Sequence, residues 1–552
     1  MSQTGATSRR DECPARRAWR AILGGALLSV CLFASAWAQG AQPPQQATYE
    51  NPVIAGDFPD PSVIRVGEDY WATATTGGWA PHFPVLHSRD LVNWRYVGAV
   101  FSKAPSWVKG DFWAPEISED RGRFYVYYTA RRDDGPGKKG TLCVAVATAD
   151  APQGPYTDRG PVVCQDIGSI DAFALRDEND RRYLIWKEDG NDRNQPTPIW
   201  AQPLTEDGLK LTGKRKEILR NNAAWERHVT EGSFILRRGG WFYHFYSGNA
   251  CCGRGCRYAL GVARARKLLG PWEKNPANPI LAANEEWQCP GHGDVVTTPD
   301  NRTFMLYHSY RQRADTFNVG REALLDEITW SADAWPAING GKGPSSVAVA
   351  PLGAAERDDE AEVFEGFNSA QLDAAWQWPM YAEPGARVEV GGGGQLLLAP
   401  GKASASADEW TAGVVARRTT SGDYVATASV NLTGMASAAR AGLSAFSWRD
   451  AAVGVAAGGG RVYVWRREGK DQKTLASADA PASPVLFLRM TASRAETYRF
   501  AFSANGRDWK ELGDAVAASY IEGARVALTS AGPPGSVARF DWLRIKARGG
   551  AK

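Results

Sequence analysis

The sequence predicts an all-β protein, a five-bladed β-propeller followed by a β-sandwich. Two observations carry this. An acidic or histidine-containing opening, a short apolar run, a Gly- or Asp-rich turn and an aromatic strand recur five times, at intervals of about 55–63 residues. From Val363 onward apolar and polar residues alternate between Gly-rich turns, with no sustained helical period. At 552 residues the chain is too long for a single core.

Residues 1–38 read as an export signal. Arg9, Arg10, Arg16, Arg17 and Arg20 make a basic start, Ala21 to Phe33 is apolar but too short to span a bilayer, and Ala36-Trp37-Ala38 is a small-x-small cleavage site. This places the mature protein outside the cytoplasm, periplasmic or secreted. No later apolar run is long enough for a span. The formal charge of +3 falls to about zero once those five arginines and the acids Asp11 and Glu12 leave. A neutral chain lacks the basic footprint expected for nucleic acid or anionic membrane, and suits a neutral polysaccharide.

The repeats occupy residues 48–342. Asp60 leads Pro61-Ser62-Val63-Ile64, Glu116 leads Ile117-Ser118, Asp171 leads Ala172-Phe173-Ala174-Leu175, and Glu231 leads Gly232-Ser233-Phe234-Ile235-Leu236. The fifth copy opens with Gly291-His292-Gly293-Asp294. A four-stranded unit of this kind buries both faces only by stacking against others around an axis, with its first strand lining the channel. Acids at the start of those strands then converge on one end of the channel. Carboxyls held close together have their pKa values pushed apart, which is what separate acid and base roles require. The competing reading of each acid alone is a solvated turn residue.

Trp79, Phe112, Trp113 and Phe173 lie near the acids and are candidate sugar platforms, because a flat apolar ring packs against the C–H face of a sugar. Filling of the interfaces between blades is the alternative. Arg321 offers a planar fork for a sugar hydroxyl or a carboxylate. Residues 343–362 read as a linker, with Gly340 to Ser346 ending the repeats and the charged Ala354 to Glu362 marking the boundary. Residues 363–548 form the sandwich, with turns at Gly391 to Gly394 and Gly458 to Gly460.

Six cysteines follow the signal: Cys143, Cys164, Cys251, Cys252, Cys256 and Cys289. An even count in an exported chain favours disulfides. Cys143 and Cys164 flank one hairpin and make a candidate pair, while the remaining connectivity stays open. A metal cluster competes, without a paired Cys-x-x-Cys spacing in its support.

Several motifs carry a resemblance. Asn51-Pro52-Val53-Ile54-Ala55-Gly56-Asp57-Phe58-Pro59-Asp60, Phe112-Trp113-Ala114-Pro115-Glu116, Ser169-Ile170-Asp171, Thr230-Glu231-Gly232 and Pro290-Gly291-His292-Gly293 resemble, in order, the blade motifs of glycoside hydrolase family 43. Gly320-Arg321-Glu322, Trp330 and Gly340 are similar to its closing segment, and Phe364 to Trp378 resembles the concanavalin-like domain attached to β-xylosidase-type propellers. The resemblance implies an inverting hydrolase that releases arabinose or xylose from plant cell-wall polysaccharides or oligosaccharides. It implies Asp60 as general base, Glu231 as general acid, and Asp171 as the group that tunes and orients the acid. It places Arg321 in the pocket. The reaction requires no cofactor, but similar proteins hold a structural calcium ion in the channel near the residue equivalent to His292, the candidate metal position here. Ser233 and Ala172 stand where the pattern commonly has proline. A non-catalytic carbohydrate-binding propeller and a retaining fructosyl hydrolase are the alternatives. The acidic trio argues against the first. The second has an Arg-Asp-Pro motif where this chain has Ile170-Asp171-Ala172.

Overall fold

The computed structural model describes residues 46–548, apart from 313–316, 352, 356–361, 382, 391–393, 401–408 and 449. The export signal, residues 356–361 of the charged boundary and residues 391–393 of one glycine turn lie outside the described residues. Among the described residues the regular structure is all strand, with a few short 3₁₀ turns.

Five four-stranded antiparallel sheets follow one another in the chain. Their first strands are Ser62–Val66, Val108–Asp120, Ser169–Arg176, Thr230–Arg238 and Trp287–Thr297. Each first strand contacts the first strand of the next sheet, and the fifth returns to the first. Every neighbouring pair of sheets shares its own apolar cluster. Val85 and Phe101 meet Val126 and Tyr128 between sheets one and two, and Val144 meets Leu184 and Trp186 between two and three. Phe173 and Ile185 meet Ile235 and Phe242 between three and four. Tyr243 and Val262 meet Val295 and Met305 between four and five. Val63 and Ala72 meet Phe304 and Leu325 between five and one. Alternating residues of each strand feed two of these layers, so an aromatic-rich sequence is what the arrangement needs.

The N-terminal segment closes onto the fifth sheet. Thr48–Glu50 pairs with Val347–Val349, and the Asn51 amide nitrogen donates to the carbonyls of Leu325 and Ser345 at 3.0 and 3.1 Å. Part of the segment expected to be a linker is therefore strand, held by Thr48–Glu50.

The C-terminal region holds two antiparallel sheets, of nine and six strands. Leu396, Tyr424, Leu443, Val455, Leu488, Phe500 and Phe540 belong to their shared core. The other face of the six-stranded sheet presents Val414, Ala416, Phe446 and Trp465, and these bury Trp79, whose short strand Trp79–Ala80 leaves the first sheet and pairs with Trp378–Pro379.

Candidate active site

In or just before every inner strand stands a residue in the left-handed region, Asp60, Ala114, Asp171, Gly232 and His292, with φ between 43° and 58°; Asp111 and Cys289 share that conformation in the second and fifth. Breaks in strand register accompany four of the five. Such irregularities re-aim side chains and gather at functional sites. Here they turn Asp60, Asp171 and Glu231 toward one end of the ring, and Asp171 feels the charges of both Glu231 and Asp60. All three are buried, at 7–8 % exposure.

Their surroundings differ. Asp60 Oδ1 lies 2.9 Å from an Arg321 terminal nitrogen, and Oδ2 accepts the Thr75 hydroxyl at 2.7 Å. His308 Nδ1 accepts the Asp60 backbone N–H at 3.1 Å, and burial pushes its imidazole down to about 4, so His308 is a neutral prop. Burial raises the Asp60 pKa, but the Arg321 guanidinium, aided by His292, reverses this and holds the carboxyl well below the usual range. Arg321 is itself set by its backbone N–H, which donates to Asp57 Oδ1 at 3.1 Å.

Asp171 Oδ2 accepts the Gly232 N–H at 3.0 Å, and its own N–H donates to Thr129 Oγ1 at 3.2 Å. Among the described residues it has no salt-bridge partner. Burial pushes its pKa up to about 6; Glu231 adds to the rise and His292 opposes it. Glu231 Oε2 is 2.5 Å from Lys187 Nζ. Burial raises the Glu231 pKa as well, and the Lys187 ammonium more than offsets that and lowers it. Asp171 and Glu231 thus titrate as a pair against each other.

Two expectations change. Glu116 was read as the blade-two counterpart of Asp60, but Ala114 occupies that left-handed entrance. Glu116 lies two residues further along, beside Ser62 and Asp294, where burial and the Asp294 charge push its pKa up. Of the four aromatic candidates only Trp113 is half-exposed. Phe112 is stacked on His82 at 3.7 Å, Trp79 is covered by Phe446 and Arg525, and Phe173 packs on Phe234. These three rings are buried in packing, Phe112 and Phe173 between neighbouring sheets and Trp79 against the C-terminal six-stranded sheet.

His292 donates its backbone N–H to Ser247 Oγ at 2.8 Å and turns Nδ1 to 3.5 Å from Asp60 Oδ1. Asp294 spends its oxygens on Ser62 Oγ and the N–H groups of Val63 and Val295. No set of three or more His, Cys, Asp or Glu side chains able to hold a metal ion occurs among the described residues.

Three disulfides are present: Cys143–Cys164, the adjacent Cys251–Cys252, and Cys256–Cys289. The last ties the loop after the second strand of sheet four to the inner strand of sheet five.

The model of Glycosyl hydrolases family 43 matches residues 49–336, more than half the chain. The chain belongs to that family. A second match, to the Beta xylosidase C-terminal Concanavalin A-like domain, covers residues 365–546 of this family 43 protein. It is 32% identical over 328 residues to Xylosidase/arabinosidase 43B of Humicola insolens, covering 56% of this chain and 58% of that relative. It is 29% identical over 328 residues to Beta-xylosidase of Bacillus subtilis, covering 54% and 58% respectively. The aligned stretch thus spans a little over half of those relatives. The crystal structure of the GH43 BlXynB protein from Bacillus licheniformis superposes with a TM-score of 0.76 at 27% identity, over 91% of this chain and 100% of that one.

The sequence reading missed four groups of the site: Lys187, Thr75, His308 and Tyr258, whose side chain faces Glu231. Lys187 alone left a signal, as a lone cation ending the aromatic-aliphatic run Tyr183-Leu184-Ile185-Trp186.

Proposed function

We propose that this family 43 protein is an inverting glycoside hydrolase that releases arabinose or xylose from plant cell-wall polysaccharides or oligosaccharides. Its scaffold is a five-bladed propeller followed by a concanavalin-like sandwich. The reading rests on one observation, the unequal settings of three buried carboxyls at one end of the ring. Asp60, clamped by Arg321, stays ionised and takes the proton of the attacking water. The Asp171–Glu231 pair keeps a proton, and Glu231 delivers it to the departing oxygen while Asp171 fixes the Glu231 backbone through Gly232. Trp113 supplies a sugar platform, and Arg321 orients Asp60 and a hydroxyl beside it. The names of the relatives support the pentose class.

The domain limits proposed are 48–342 and 363–548. Three disulfides and the basic, apolar N-terminus support export to the periplasm or beyond. The reaction needs no cofactor. Any calcium in the channel would be held through waters, and no step passes through it.

The test is hydrolysis of the nitrophenyl α-L-arabinofuranoside and β-D-xyloside, with the first product anomer followed by NMR. Inverted configuration is expected. Retention overturns the single displacement, and inertness toward both glycosides and pentose polysaccharides overturns the reading.

A further inference from the structure

Lysine is almost never fully buried unless it is paired. Lys187 is 0 % exposed. It lies on the second strand of sheet three, Arg182–Glu188, with Ile170 as its register partner, so it stands beside the residue that precedes Asp171. Its Nζ is 2.5 Å from Glu231 Oε2 and 3.2 Å from Asp189 Oδ1. The pair reaches from sheet three to sheet four, between the two inner strands that carry the proton-holding carboxyls.

From this geometry, and resting on the hydrolase reading above, we propose that Lys187 is a positioning residue for the proton donor. It anchors one oxygen of Glu231 so that the other faces the leaving group, and it weakens the grip of the Glu231–Asp171 pair on its proton.

Two restraints meet on Glu231. At the backbone, the next residue, Gly232, is tied to Asp171 Oδ2. At the carboxyl, Lys187 holds Oε2 and leaves Oε1 for the leaving oxygen. The charged and titratable groups facing Glu231 are Lys187, Asp171, His292 and Tyr258, with Asp189 behind Lys187. Among these Lys187 is the only fixed cation, since Arg321 is committed to Asp60. An ammonium at this distance favours the ionised carboxyl. The donor then becomes a stronger acid, which speeds transfer to a poor leaving group and limits the pH up to which the donor stays protonated.

The decisive variant is Lys187→Met, close in length but uncharged. Removing the ammonium raises the proton affinity of the pair, so the alkaline limb of kcat/KM should move up by about one pH unit or more. On an unactivated pentoside kcat should fall about ten-fold or more, while KM changes less and a nitrophenyl glycoside is less impaired. A limb that stays in place, whatever the loss of rate, overturns the proposal.

A second arm reads the pair without activity. Thermal melts of the wild type, Lys187→Met, Glu231→Gln and the double variant form a cycle. Lys187→Met strands a buried carboxylate, so the double variant should melt above it. Additive shifts overturn the pairing. Should Lys187→Met fail to fold, a folded double variant supports the pairing, and an unfolded one overturns it. An inactive wild type overturns the hydrolase reading and the catalytic half of the proposal, while the cycle still decides whether Lys187 and Glu231 act as a pair.

Discussion

At the residue scale the site separates its carboxyls by their partners, and each partner has a measurable consequence. On the proposed roles, Glu231→Gln removes the donor that a sugar alcohol needs in order to leave. Its activity on unactivated pentosides should fall by about 10²–10⁴-fold, and on nitrophenyl glycosides by much less. Asp60→Asn should lose activity comparably on both, because water must be activated whatever departs. Equal losses for both variants on both substrates would reject the division of roles. Asp171 carries a different signature. Its folded pKa is raised to about 6, above the unfolded value of about 3.9. The unfolded chain therefore loses this proton first as pH rises. Asp171 supports the fold most below about pH 4, and that support drains away as pH climbs toward 6. Asp171→Asn removes this titration. The variant should gain about 1–3 kcal/mol relative to wild type between pH 4 and 7 while losing activity, as read by melts across that range.

At the scale of the strand, a residue in the left-handed region marks the site end of each inner strand, and in sheet four that residue is Gly232. A Cβ there would stand 3.0 Å from His292 Cγ at a φ of +58°. Gly232→Ala should therefore cost roughly 1–2 kcal/mol in backbone conformation alone. It should also lower kcat by pressing His292, which flanks Asp60 at 3.5 Å. An unchanged melting temperature and rate would show that the entrance is softer than its packing indicates. These entrances also explain what was legible beforehand. The period of the repeat, the turn residues and the aromatic strands placed Asp60, Asp171 and Glu231 in one site, since local pattern sets each hairpin. The depth of a side chain along the channel depends on register breaks, which add residues without a compositional trace. Glu116 therefore read as a counterpart of Asp60 although it lies two residues past the entrance, and Glu231 lies one residue before its own. The pairing of Lys187 was unreadable for a related reason, although its lone charge stood out. Its partner Glu231 is 44 residues away on another sheet.

At the scale of the whole molecule the C-terminal sheets are bound to the segments that carry Asp60 and Arg321. This contact is why Trp79 lost the open face that its sequence neighbourhood suggested. Arg418 Nε donates to the Asp57 carbonyl at 2.8 Å. The Ala524 N–H donates to the Asn318 carbonyl at 2.9 Å, and the Asn318 amide nitrogen donates to the carbonyls of Ala495 and Ala518 at 3.1 and 3.4 Å. Asn318 is fully buried and stands three residues before Arg321. Asn318→Ala removes both of these bonds, at about 0.5–1.5 kcal/mol each, while Ala495 and Ala518 keep the Tyr498 hydroxyl and the Ile521 N–H, and it loosens the loop that aims Arg321. The low pKa of Asp60 depends on that aim, because burial alone pushes it up. If the C-terminal sheets help to shape the site, Asn318→Ala should lower the melting temperature and also move the acidic limb of kcat/KM to higher pH. The sign is fixed: a base less stabilised by Arg321 protonates at higher pH. A lower melting temperature with an unmoved acidic limb would assign those sheets to stability alone.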